Sequence, residues 1–211
     1  MAADAAVGAL SLPATRAHYA TTATRYVATP EDDRLLASLH AARSGDRLGF
    51  EAIYRALAPR LLRYARVLVG QDAEDVVAEA WLHIVRDLRT FDGDWDAFRG
   101  WAARVVRNRA IDQRRAISRR PVAAGGVELL EDVVARDDTA SSAAESISTA
   151  AALDLIASLP QDQAEAVLLR AVIGLDATAA AEVLGKRAGA VRVAAHRGLK
   201  TLAKQLEQHS V

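Results

Sequence analysis

Apolar residues recur along this chain at intervals of three and four, the spacing of helices that bury one face. Thr29-Pro30-Glu31-Asp32-Asp33 predicts a helix start, with a capping hydroxyl, a proline in the first turn and acids that favour the helix dipole. That helix places Leu35, Leu36 and Leu39 on one face and stops near Gly45. A second runs from about Arg47 to Gly70 on Phe50, Ile53, Tyr54, Leu57, Leu61, Tyr64 and Leu68, with Pro59 expected to kink or reset it. Asp72 is expected to cap a third, with Val76, Val77, Ala80, Trp81, Ile84 and Leu88 buried. The loop Thr90–Asp96 leads to a fourth, Ala97–Arg115 or slightly longer. Phe98, Trp101, Ala102, Val105 and Val106 face its core, and Arg104, Arg107 and Arg115 an exposed side.

Beyond residue 150 the pattern resumes. Ala150–Leu159 reads as helix, and Pro160 opens another with Ala164, Val167, Leu168, Ala171 and Val172 inward and Gly174 at its end. Two short amphipathic helices follow, joined by a tight turn at Gly185-Lys186-Arg187. In the last, Val191, Ala195, Leu199, Leu202 and Leu206 are expected to pack inward. Residues 1–28 lack either periodicity and read as a disordered extension. Residues 121–149, rich in Gly, Ala, Ser and Asp, read as a linker with at most a short helix. No useful length of strand alternation occurs. The expected fold is all-α, in two small helical domains: residues 29–120 and 150–208.

Composition narrows the chemistry. There are no cysteines, which excludes disulfides, zinc fingers and cysteine nucleophiles. No signal-peptide pattern and no apolar run long enough to span a bilayer is present, so a cytoplasmic location is expected. The net charge is zero, yet the charges are segregated. Arg99, Arg104, Arg107, Arg109, Arg114, Arg115, Arg119 and Arg120 stand against Asp112 alone. Residues 185–204 carry Lys186, Arg187, Arg192, Arg197, Lys200 and Lys204 with no acid. Between these basic blocks, the linker carries Glu128, Glu131, Asp132, Asp137, Asp138 and Glu145 against Arg136.

The basic second helix of the C-terminal pair is how a helix-turn-helix looks when that helix enters a DNA groove. Gly189, Arg192, Val193 and His196 turn outward from it. Arg192 suits base edges or phosphate, and Lys186 and Arg187 suit phosphate contacts that set register. The small Ala188, Gly189 and Ala190 let the helix N-terminus approach the backbone. An ordinary basic surface helix is the plainer alternative. Asp75 and Glu79, one turn apart on an exposed face, read as a solvated or partner-binding surface before an acid/base pair. Glu79 and His83 form at most half a metal site, and no metal or cofactor is expected. Of the aromatics Phe91, Trp95, Phe98 and Trp101 beside the arginines, Phe98 and Trp101 match core spacing, while Trp95 is open between packing and base stacking. No catalytic signature appears, and no enzyme is expected.

The order of segments, FEAIYRALAPRLLRYARVLVG, DAEDVVAEAWLHIV, FRGWAARVVRNRAIDQRR, LPQDQAEAVLLRAVIGL and then the helix-turn-helix, resembles bacterial sigma factors of the extracytoplasmic-function (ECF) type over residues 30–120 and 150–206. The resemblance implies an RNA polymerase initiation subunit with two helical domains, regions 2 and 4, that binds core polymerase and promoter DNA. It implies core-polymerase binding for Asp72, Glu74, Asp75, Glu79 and Trp81. It implies capture of a flipped −10 base by the loop with Asp92, Asp94 and Trp95. Arg104, Arg107, Asn108, Arg109, Asp112 and Arg115 would meet the −10 duplex. Lys186, Arg187, Ala188, Gly189, Ala190, Arg192, Val193, His196 and Arg197 would read the −35 element. An anti-sigma protein is the implied regulator, and no membrane insertion is implied. Ala177-Thr178-Ala179 departs from the polar or aromatic residue and glutamate usual at the start of the first helix of this motif. Val193 and Ala194 likewise replace a small polar residue and an arginine. The alternative is a stand-alone helix-turn-helix regulator whose residues 30–120 dimerise or bind a ligand.

Overall fold

A computed structural model describes residues 29–119 and 140–209, with side chains in the second stretch from 149 to 208. The N-terminal extension and residues 120–139, which take in the end of the first domain and most of the linker, lie outside the described residues. Among the described residues every regular element is helical.

In the first bundle, α1 (Pro30–Arg43) opens with a capping box in which Thr29 and Asp32 satisfy each other's backbone donors. The Asp46 carboxylate accepts from Gly49 N at 2.7 Å and starts α2 (Arg47–Val69). That helix runs unbroken through Pro59 instead of resetting. Pro59 is exposed, so the hydrogen bond its missing N–H forfeits leaves a carbonyl on the solvent side. After a 3-10 turn comes α3 (Ala73–Asp87), whose N-cap residue Asp72 makes no capping bond; its carboxylate accepts from Gln113 Nε2 at 3.3 Å instead. A second 3-10 turn and a short loop lead to α4 (Trp95–Arg119). It starts earlier than the sequence pattern indicates because Asp94 accepts from Ala97 N at 2.8 Å. Leu39, Ile53, Leu57, Leu61, Ile84, Phe98 and Val106 are fully buried at the centre. Each such aliphatic or aromatic side chain contributes roughly 1.5–3 kcal/mol.

The second bundle starts with α5 (Ala140–Ala157), which reaches ten residues further back than the expected start at Ala150. Then α6 (Gln161–Val167) runs into a π-helical turn, Leu168–Val172, closed by Ile173 N donating to Leu168 O at 3.0 Å. The wider turn shifts the register. Ala164, Val167 and Leu168 stay inward as the spacing predicts, but Ala171 is exposed and Leu169 and Ile173 are buried in its place. At Gly174 the chain takes a left-handed turn (φ +82°), and a Cβ there would lie 2.6 Å from the Arg99 guanidinium. Asp176 caps α7 (Ala177–Leu184), Gly185 ends it in the left-handed region (φ +64°), and α8 (Ala188–His209) follows. Its inward stripe is Val191, Ala195, Gly198 and Leu202, not the stripe through Leu199 and Leu206, which are 53% and 54% exposed. Gly198 sets this register, because a Cβ there would meet Val167 at 2.8 Å and Leu159 at 3.3 Å.

The two bundles pack directly on each other. One continuous apolar cluster includes Ile53 and Phe98 of the first and Leu168, Ile173 and Leu184 of the second. The contact runs mainly between α4 and α7 and between α2 and α5.

Candidate functional site

Three surfaces gather the residues singled out in the sequence. The first is the outer face of α3. Glu74, Asp75 and Glu79 are exposed there, because the helix turns Val76, Val77, Ala80, Trp81 and Ile84 inward. Glu74 lies 3.7 Å from Arg66 and Glu79 4.0 Å from Arg109, loose pairs that leave both carboxylates open to a partner. Trp81 does not belong to this surface: it is buried, edge-on to Phe50 and 4.8 Å from the Tyr54 ring. Tyr54, expected in the core, sits at the rim. Leu82 and Val85, not among the residues singled out in the sequence, are 72% and 50% exposed on the same helix as the carboxylates. Their signal was available, since both fall off the buried stripe yet are large and apolar. Exposed leucine and valine among acids point to a protein-binding face.

His83 does not extend Glu79 into a metal site. Its Nδ1 lies 3.0 Å from Arg86 Nη2, and its Nε2 lies against Arg109 Nη2. Burial, then the charges of Arg109 and Arg86, lower its pKa from the ordinary value. Among the described residues no cluster of three potential metal ligands forms.

The second surface is α4 with the loop before it. Trp95 is buried and stacked on Phe98 at 5.6 Å, and Phe91 stacks on Trp101 at 5.1 Å. Packing therefore claims Trp95, and the loop shows solvent only Asp92, Gly93 and the capping Asp94. The arginines divide. Asn108, Asp112 and Arg115 are exposed, the last two 3.7 Å apart. Arg104 and Arg107 are not on an open face, because the second bundle covers them. Arg107 Nε donates to Glu165 Oε2 at 2.6 Å, and the Tyr64 hydroxyl lies 3.5 Å from the same oxygen. Glu165 is 3% exposed. Burial works to lower the Arg107 pKa, but the Glu165 hydrogen bond and charge more than offset it and hold the guanidinium above its ordinary value. Burial, followed by the Glu165 charge, pushes Tyr64 well up. Arg104 donates to the Glu182 carbonyl at 2.6 Å, and the buried Arg99 pairs with Asp96 and donates to the Ile173 carbonyl at 3.2 Å.

The third surface is the open side of the helix-turn-helix. Arg187, Gly189, Ala190, Arg192, Val193, His196 and Arg197 are exposed, and Ala188 is half-buried. Lys186 pairs with Asp162 at 2.6 Å, so a phosphate would have to replace that carboxylate. The strip is basic, and its small residues leave the helix N-terminus open to close approach.

Residues 53–120 match the family described as Sigma-70 region 2, and residues 149–202 match Sigma-70, region 4. The chain is 30% identical over 184 residues to the ECF RNA polymerase sigma factor BldN of Streptomyces coelicolor, covering 86% of this chain and 69% of that one. It is 30% identical over 184 residues to the ECF RNA polymerase sigma factor SigD of Mycobacterium tuberculosis, covering 84% and 86%. Its fold is similar to that of CnrH, solved in complex with the cytosolic domain of CnrY (TM-score 0.55, 22% identity, 84% of this chain and 98% of that one). It is similar also to RpoE solved with the anti-sigma factor NepR from Bartonella quintana (TM-score 0.55, 20% identity, 75% and 96%).

Proposed function

The chain belongs to the ECF family of RNA polymerase sigma factors, and from that premise we propose how its surfaces divide the work of initiation. Residues 29–120 act as region 2, residues 150–208 as region 4, and residues 121–149 as the tether. Region 2 docks on core polymerase through Asp75 and Glu79, with Glu74 and Asp72 beside them and Leu82 and Val85 supplying apolar contact. Trp81 supports that face from beneath. Region 4 lays α8 in the major groove of the −35 element. There Arg192 reaches base edges, Lys186, Arg187 and Arg197 reach phosphates, and Ala188, Gly189, Ala190, Val193 and His196 shape the approach. The −10 element falls to α4, where Arg104, Arg107, Asn108, Arg109, Asp112 and Arg115 meet backbone and base edges. Asp92 and Asp94 border the displaced base while Trp95 supports the loop from inside. The protein makes and breaks no covalent bond and works in the cytoplasm, where the polymerase is. An anti-sigma factor of the kind bound in the solved relatives holds it inactive.

The observation that carries this reading is the presence, in one chain, of an open basic helix-turn-helix and an acidic–apolar face on α3. The test is transcription reconstituted with core polymerase, on a promoter found by sequencing transcripts after overexpression. Arg192→Ala is expected to reduce promoter use on the order of tenfold, as loss of a base contact does, with core retention unchanged. Asp75→Lys with Glu79→Lys is expected to abolish core retention in a pull-down. Tight operator binding without polymerase, together with no promoter-dependent transcript, would replace this reading with a stand-alone regulator.

A further inference from the structure

We propose that Val193 is a specificity-determining residue of the −35 reader, selecting a thymine by packing against its C5 methyl group. This rests on the placement of α8 in the major groove, and it gives that helix an apolar base contact beside the polar one of Arg192. Val193 lies within the first two turns of α8, the part of a recognition helix that faces base edges. It is 50% exposed, a large apolar side chain on a strip otherwise formed by Arg187, Gly189, Ala190, Arg192, His196 and Arg197. Neither the helix nor the core accounts for a valine there. Ala188, Ala190, Ala194 and Ala195 flank it along the chain, and alanine holds a helix better than a β-branched residue does. The inward stripe is already filled by Val191 and Ala195, at 0% and 5% exposure.

The surrounding charges decide what covers this side chain. Residues 185–204 carry six cations and no acid, a surface that draws phosphate to either side of Val193. Between the phosphate ridges, the apolar group that base edges present in the major groove is the thymine methyl. One turn toward the helix start, Gly189 and Ala190 are small and exposed, and a Cβ on Gly189 would have no heavy atom within 4 Å. That flank of Val193 is therefore open, and a base edge reaches it without displacing a longer side chain. The branch at Cβ sharpens the contact. In a helix valine keeps to essentially one rotamer, so its two methyl groups are held in place before DNA arrives and little entropy is lost on binding.

The test measures binding of the holoenzyme to the promoter used for transcription above, with each thymine of the −35 element replaced in turn by deoxyuridine. That change removes the C5 methyl and leaves the pairing and the O4 acceptor in place. For the wild type, one replacement is expected to weaken binding about fourfold, the worth of one buried methyl group, and the others to leave it unchanged. Val193→Ala, an exposed change that favours the helix, should lose a similar factor on the thymine promoter. It should lose nothing further with deoxyuridine at that position, because both changes remove one contact. Arg192→Ala should weaken binding to both promoters and keep the ratio between them. The proposal is overturned if the element holds no thymine, or if no deoxyuridine replacement affects the wild type. It is overturned equally if Val193→Ala keeps the methyl dependence, or weakens binding to every template alike, as a contact with a protein partner would. In any of these cases, an Arg192→Ala variant that still impairs promoter binding leaves α8 in the groove and removes only the methyl contact. If Arg192→Ala has no effect either, the placement of α8 is what fails.

Discussion

His83 shows how one side chain's surroundings make stability depend on pH. Its ring lies between Arg86 of its own helix and Arg109 of α4, with Asp87 and Glu79 as weaker counterweights. Burial and the two guanidiniums disfavour the imidazolium, so the folded-state pKa lies below the ordinary 6.5. The sign follows from proton counts. Above pH 6.5 the ring is neutral in both folded and unfolded chains and contributes no pH dependence. As pH falls below that value the unfolded chain takes up a proton that the folded chain refuses, so stability declines until the folded pKa is reached. His83→Gln cannot take up that proton. Urea unfolding at about pH 5 and about pH 7.5 should give the variant a smaller stability difference than the wild type. Equal differences would mean the acid sensitivity has another source.

At the scale of elements, the helices were legible where a stripe faces a partner within its own bundle. The capping box at Thr29 and the buried faces of α3 and α4 follow from local spacing and capping chemistry alone. The outward residues of α8 followed as well, since Val191 and Ala195 fix the helix rotation at its start. What escaped depends on contacts that no local pattern carries. Spacing leaves Trp95 undecided because an aromatic at a helix start suits a base as well as a core, and only the position of Phe98 decides. Ala171 and Leu169 exchange places because the π turn inserts an extra residue into the repeat. Glu165 is not singled out by any local pattern, and its burial depends on partners that α2 and α4 supply. Further along α8, apolar spacing favours Leu199 and Leu206, but the close approach of α6 at Gly198 decides the register. Two substitutions distinguish these alternatives. Gly198→Val drives a stiff side chain into Val167 and is expected to destabilise by about 2 kcal/mol. Leu199→Gln, on the exposed side, should stay within about 0.5 kcal/mol. The reverse order in denaturant midpoints would restore the register read from apolar spacing.

At the scale of the molecule, the shared core couples two bundles that the sequence presents as separate. The apolar cluster runs from α1 to α8, and Arg99, Arg104 and Arg107 fasten its two halves along α4. Bundles that share buried surface unfold together when the contact between them is worth more than the difference in their separate stabilities. A single calorimetric transition is therefore expected for the wild-type chain, with calorimetric and van't Hoff enthalpies in agreement. Gly100 is the place to separate the two. It lies on α4 between Arg99 and Ala103, and the nearest neighbour to a Cβ there is Leu175 of the second bundle, at 3.9 Å. Alanine would fit in ordinary contact, but a longer side chain must push the Gly174–Leu175 turn away. Gly100→Gln also replaces glycine inside a helix by a better helix former, so α4 itself should gain slightly. The variant should split the transition in two, with the lower one moved down and helical content at low temperature preserved. Gly100→Ala should keep one transition. A single transition in Gly100→Gln at the wild-type temperature would mean that the bundles do not rely on this contact for their joint stability.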